Sequence, residues 1–387
     1  MTAGETQKKN RKGLCVIILL GLFFAIPVYA SDEEEKGGQQ ELLDDMELEQ
    51  MQEAVNELLG EETFNLRESI EKALSGTEPF SKEALKEIVQ NFLYQQLLPD
   101  KRIIIQVILL VLAASLFSNF TSVFGKGETG ELSFYIVYIL LLTILMKSFG
   151  QMSNTITSSL EDFVVFMKAL MPSYFLAVTA STGAASAMIF YNMVLAVIYV
   201  IQVVLLKMVI PGIHIYVLFQ MVNYLHKEDI LSKMAEFFKM LLEWTLHTCV
   251  GVLIGMQLIQ NMITPAVDSL KRDMIGKTAG AIPAVGNAIS GVTEVALGTA
   301  VLIRNCIGVT GILVLVILGL PPVIRLGMTT LVYKLLAAFV QPVSDKRMTG
   351  CLSTIGDGCR LLLRVLLTVE LLLLITIAIL SVSFIAH

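Results

Sequence analysis

The stretch IIIQVILLVLAASLFSNFTSVF, residues 103–124, decides the fold: it is 22 residues long and carries no charge. As a helix it would be about 33 Å long, enough to cross a hydrocarbon layer roughly 30 Å thick. Backbone inside lipid must satisfy its own hydrogen bonds, so such a run predicts a membrane-spanning helix.

Working outward, further apolar runs follow. Residues 132–149 form a second predicted span, with Lys147 near one end, where a long side chain can snorkel. Residues 163–181 are weaker, because Lys168 and Pro172 interrupt them. Residues 184–210 are long and apolar, and Pro211-Gly212 predict a break before 213–225. An amphipathic charged stretch, 226–239, leads into 240–262. Residues 307–320 and 324–339 flank Pro321-Pro322, and the second carries Arg325 and Lys334. Residues 361–385 form the last predicted span.

The whole composition agrees. The chain of 387 residues is 55% hydrophobic and only 16% charged, with a mean hydropathy of +0.72, whereas a soluble domain is roughly 25% charged. The expected fold class is all-α: a polytopic helical membrane protein with seven to nine spans over 101–387. A basic footprint for nucleic acid is absent, since 28 Lys and Arg face 34 Asp and Glu.

Upstream, Lys8, Lys9, Arg11 and Lys12 precede an apolar stretch, 14–26, and a small-residue exit at Val28-Tyr29-Ala30. That order predicts a secretory signal peptide over 1–30, the alternative being an uncleaved anchor. Residues 31–100 hold 19 of the 34 acidic groups and are predicted to be an exported helical region. Leu48, Met51, Val55, Leu58 and Leu59 share one helical face, and Leu66, Ile70, Ala73 and Leu74 another. A third helix is expected from Ser81, with Leu85, Ile88, Val89, Phe92 and Leu93 on its apolar face. Three short helices bury too little alone, so they are expected to pack on the membrane part or on a partner. The basic groups from Lys346 to Arg364 predict a cytoplasmic loop, and Lys227, Lys233 and Lys239 a second cytoplasmic face. His387 then falls on the exported side.

Residues 276–311 differ from plain lipid-facing helix. Gly276, Gly280, Ala284 and Ala288 recur at four-residue steps, a spacing that lets helices approach closely in lipid. Pro283 with Gly286 predicts a helix break, tolerated at membrane depth only inside protein or beside water. Glu294 and Arg304 follow, with Gly298 between them. Ten residues are about 15 Å along a straight helix, so they would not pair in one. They either line a polar path or sit at an interface and snorkel. Glu370, near the middle of the last span, is a further polar candidate. The candidate helix-packing or polar-path residues are therefore Gly280, Pro283, Gly286, Glu294, Gly298, Arg304 and Glu370.

No catalytic, cofactor-binding or metal-binding residue is indicated, and no cofactor is implied. Gly276-Lys277-Thr278 lacks the glycine a phosphate-binding loop needs five residues earlier, where Lys271 stands. His214, His226, His247 and His387 have no metal-ligand spacing. Gly356-Asp357-Gly358 is read as a polar loop. Glu243 and His247, four apart on one face, predict a hydrogen bond more than a proton relay. Cys351 and Cys359 are expected as free thiols in the cytoplasmic loop.

The segments Ala279-Gly280-Ala281-Ile282-Pro283-Ala284-Val285-Gly286, Leu297-Gly298 and Ile303-Arg304-Asn305-Cys306-Ile307-Gly308, then Pro321-Pro322, resemble the stage III sporulation protein AE family of endospore-forming bacteria. The order of signal peptide, acidic helices and polytopic region agrees. The resemblance implies a membrane component of the channel between mother cell and forespore, in an assembly similar to specialised secretion systems. It implies a role in continued forespore gene expression, with the acidic region between the two membranes. Other stage III membrane subunits, a cytoplasmic ATPase-like subunit and membrane lipid are the implied partners, and nucleic acid is not. The competing reading from the residues is a self-sufficient small-solute permease lined by Glu294, Arg304 and Glu370.

Overall fold

The computed structural model describes residues 48–59, 65–74, 128–182, 196–225, 229–252, 254–255, 286–342 and 344–382, with isolated positions 105, 108, 109 and 193. Of these, 48, 50, 59, 73, 74, 128–133, 178–182, 286–300 and 379–382 are described by their backbone alone. Every regular element among the described residues is helical. The signal peptide, the helix expected from Ser81, most of 103–124, and Gly280 with Pro283 lie outside them.

Helix α1, Leu48–Leu59, and α2, Leu66–Leu74, match the amphipathic faces expected from the sequence. Met51, Val55, Leu66 and Ile70 are fully buried, while Glu49, Glu53, Glu57, Arg67, Glu68 and Glu71 stay exposed. Asn65 caps α2 by accepting from the Glu68 amide at 3.2 Å, and Gln52 of α1 accepts from the Leu66 amide at 2.7 Å. The cross-helix cap fixes the α1–α2 turn. The pair does not stand alone: its apolar faces join the core formed by the long helices.

Those long helices are α3 (Glu128–Thr182), α4 (Ala196–Asn223), α5 (232–252), α6 (Gly286–Val340) and α7 (Lys346–Val382). Among the described residues four segments are long and apolar enough to cross a membrane: Phe134–Ala177, Ala196–Asn223, Val301–Val340 and Lys346–Ala378. Helices α3 and α6 have 55 residues each, about 80 Å, well beyond one hydrocarbon layer.

Several expected breaks are absent. Runs 132–149 and 163–181 lie on one helix, α3, which continues through Pro172. Runs 307–320 and 324–339 lie on α6, which continues through Pro321 and Pro322. A proline removes one helical hydrogen bond, but a helix packed on several sides holds its course. At Pro211 the chain widens into a π-turn, Leu205–Val209, where the Ile210 amide reaches back to the Leu205 carbonyl. Pro211 then sits in the first turn of the following α-helical segment, where a missing N–H costs least. The glycine-rich block is also regular helix from Gly286 onward. The expected cytoplasmic loop is helix from Lys346, leaving a short connection between α6 and α7.

Cross-contacts give the order and direction of packing. Ser148 bonds Tyr333, Thr329 reaches Met152, and Gly311 abuts Leu170, so α3 and α6 are antiparallel. Lys334 meets Asp357 and Gly319 meets Glu370, so α6 and α7 are antiparallel. His214 on α4 meets Phe149 and Ser153 of α3, while Ile198 and Ile201 lie beside Leu160 and Val164. Asn223 ties the α4–α5 turn, donating to Asp229 at 3.1 Å and accepting from the Leu231 amide at 2.7 Å. Helix α6 is the central element: from Ile303 to Thr330 none of its residues is exposed. A helix apolar all round belongs in such a position.

Candidate functional site

Polar groups among these apolar helices fall at three heights. The first is a charged seam near the α6–α7 connection. Lys334 donates to Asp357 at 2.7 Å and to Ser353 at 2.8 Å, and Arg360 donates to the other Asp357 oxygen at 2.9 Å. Arg364 pairs with Glu243 of α5 at 2.6 Å. Asp357 therefore bridges two cations. Its flanking glycines explain the local sequence. A Cβ on Gly356 would come within 3.1–3.3 Å of the Lys334 stem, and one on Gly358 within 2.6 Å of Val217 and 2.8 Å of Phe149. Successive helical residues point about 100° apart, so the three positions serve three different neighbours. The polar-loop reading of 356–358 is thus replaced by a packed helical turn.

A little further in, two hydroxyl pairs join α3 to its neighbours: Ser148 with Tyr333 at 2.8 Å and Ser153 with His214 at 2.7 Å. His247 bonds the Glu243 backbone carbonyl at 2.6 Å, while the Glu243 carboxylate goes to Arg364. The expected Glu243–His247 side-chain bond is therefore not formed, because a closer cation takes the carboxylate. Cys351 and Cys359 are fully buried free thiols on α7, not loop residues.

The second height is that of Glu370, which is half-buried. Its carboxyl lies in the notch left by Gly319: a Cβ there would sit 2.5 Å from Oε1 and 2.8 Å from Oε2. Two residues on, Pro321 and Pro322 leave the Ile317 and Leu318 carbonyls without their helical donors. Arg364, six residues earlier on α7, is committed to Glu243.

The third height is that of Arg304. It is fully buried between helices. It does not snorkel to a surface. Fifteen residues of α6 separate Arg304 from Gly319, about 22 Å along the axis, so Arg304 and Glu370 are not neighbours. Glu294 and Gly298 lie on the same unbroken helix as Arg304, and Gly286 is its first residue. The candidate polar groups are thus spread along α6, with Glu370 on α7, and not gathered. Between Arg304 and Gly319 the packing is mainly apolar, with Ile307, Val314 and Leu315 fully buried, and Thr310 is buried among them. Among the described residues no three metal-ligating groups come together.

The seam was missed by sequence reasoning. Lys334 and Asp357 look like flaws in separate segments until the antiparallel packing of α6 and α7 brings them together. An unpaired cation in one apolar helix and an unpaired acid in the next was the available signal.

Fold and packing define an all-α polytopic membrane protein with buried charge between its helices. The family model described as stage III sporulation protein AE matches residues 64–383, and the chain belongs to that family. It is similar to the stage III sporulation protein AE of Bacillus subtilis (strain 168), with 21% identity over 312 residues, covering 80% of this chain and 78% of the relative. No solved structure matches.

Proposed function

We propose that this chain is a non-enzymatic membrane subunit of the channel complex linking mother cell and forespore, needed for late forespore gene expression. It sits in the membrane with which the mother cell surrounds the forespore, alongside other stage III membrane subunits and a cytoplasmic ATPase-like subunit. Family membership supports the sporulation role. The structural observation that carries the subunit reading is the packed centre. Arg304 and Glu370 stand at levels about 22 Å apart along α6, with mainly apolar side chains between them, so the described residues gather no polar site for a solute. A self-sufficient permease needs one.

The charge layout supports one orientation. Lys346 and Arg347 stand at the α6–α7 connection, and Lys334 lies within two turns of it. The acidic helices α1 and α2 dock on α3 and α6, much further along, where the Glu57 charge acts on Asp162. A basic end inside and acidic helices outside follows the positive-inside tendency.

The test is isolation of the tagged full chain from sporulating cells in mild detergent, followed by reconstitution of the chain alone. Co-purification with the other subunits, and no solute flux through vesicles holding only this chain, is the expected result. Flux through the chain alone would overturn the subunit reading.

A further inference from the structure

The outward side of α3 carries a polar stripe. Lys147, Gln151, Asn154, Ser158, Glu161 and Lys168 are all exposed, and Val165 alone interrupts them. The steps are alternately four and three residues, the spacing of one face of a helix. From Lys147 to Lys168 the stripe runs about 31 Å, the thickness of a hydrocarbon layer. Among the described residues, none of these six side chains has a hydrogen-bond or ion-pair partner. Thr155, Thr157 and Ser159, just off the stripe, bond the carbonyl four residues back and need no outside partner.

The same height on the α4 side is mainly apolar. The contacts of His214 with Ser153, and of Ile198 and Ile201 with Leu160 and Val164, set α4 alongside this part of α3. There the exposed residues are Ala196, Tyr199, Val200, Lys207, Met208, Pro211, Ile215 and Leu218; Lys207 is the one charge among them, and Tyr199 is 66% and Val200 57% accessible. Such a face suits lipid. A row of Lys, Gln, Asn, Ser and Glu does not, since charged groups facing lipid cost several kcal/mol each. A second observation points the same way. Helices α1 and α2 dock on the α3–α6 flank with their charged faces outward, near enough for the Glu57 charge to act on Asp162, next to the stripe.

We infer that the α3 stripe lines a water-filled passage at membrane depth, with α1 and α2 at its edge, while α4 faces lipid. The chain supplies one wall, and the passage lies outside its own packed bundle. This deepens the channel-subunit reading and rests on it for what passes.

The test is a cysteine scan of the full chain in membranes of sporulating cells, with a membrane-impermeant methanethiosulfonate. Single cysteines replace Gln151, Asn154, Ser158, Tyr199, Val200 and Met208 in a chain whose five native cysteines are alanine. The stripe positions are expected to label at least tenfold faster than the α4 positions. No labelling of the stripe, because lipid or another protein covers it, overturns the inference. So does equal labelling of both sides, which would place this whole length outside the bilayer. Should a scan variant fail to accumulate, Ser158→Asp and Met208→Asp in the otherwise native chain ask the same question. The first should leave the protein level within about twofold, the second should lower it several-fold, and equal losses overturn the inference. Co-purification with the other subunits is scored in parallel, so the stripe can fail while the subunit reading stands.

Discussion

Glycine shows how little one residue's identity settles. Gly150 on α3 has nothing within 4 Å of where a Cβ would lie, whereas Gly358 on α7 would push one into Val217 and the buried Phe149 ring. Gly150→Ala should therefore stabilise the detergent-solubilised protein by up to about 1 kcal/mol through helix propensity. Gly358→Ala should destabilise it by roughly 1–3 kcal/mol through overpacking. Thermal unfolding of the two variants against the parent reads both signs; equal shifts would mean that Gly358 is not a contact. Gly319 is a milder case, because the atoms its Cβ would meet are the end of a flexible glutamate. Sequence composition counts these glycines alike, and the glycine-rich block at 276–311 drew attention away from the pair at 356 and 358.

At the scale of elements, amphipathic faces were legible and helix boundaries were not. The periodicity of α1 and α2 marked Met51, Val55, Leu66 and Ile70, and all four are buried. Prolines at 172, 211, 321 and 322 suggested punctuation, yet α3, α4 and α6 run through them. The lost hydrogen bonds are local, while the packing that keeps the helix going comes from other elements. The seam between α6 and α7 is the same lesson in charge. Asp357 holds both Lys334 and Arg360, and its side chain is 24% exposed against 45% for Arg360. Asp357→Ala, which strips two cations of their acceptor, should cost roughly 1–3 kcal/mol. Arg360→Ala, which removes one exposed partner, should cost about 0–1 kcal/mol. Unfolding midpoints of the two variants give the comparison, and equal losses would remove Asp357 as the bridge.

At the scale of the whole molecule, burial overrides the expected sidedness markers. Cys351 and Cys359 have no accessible surface, so an impermeant maleimide should leave both unmodified in the folded chain from either side of the membrane. Denaturation should expose both, and rapid labelling of the native chain would contradict their placement on α7. The docking of α1 has its own test. Glu57→Cys with Asp162→Cys should cross-link through a short bismaleimide in the full chain, whereas Glu49→Cys with Asp162→Cys, two turns further away on α1, should yield several-fold less. The sequence by itself determined that the protein is all-α, that it belongs in a membrane, and which faces of its short acidic helices are apolar. Each of these follows from composition and from periods shorter than one turn or two. Only the tertiary structure decided which helices run unbroken, which glycines are contacts, and which charges pair. Those depend on residues as far apart as Ser148 and Tyr333, 185 positions along the chain, and local periodicity carries no information about which distant face a side chain will meet.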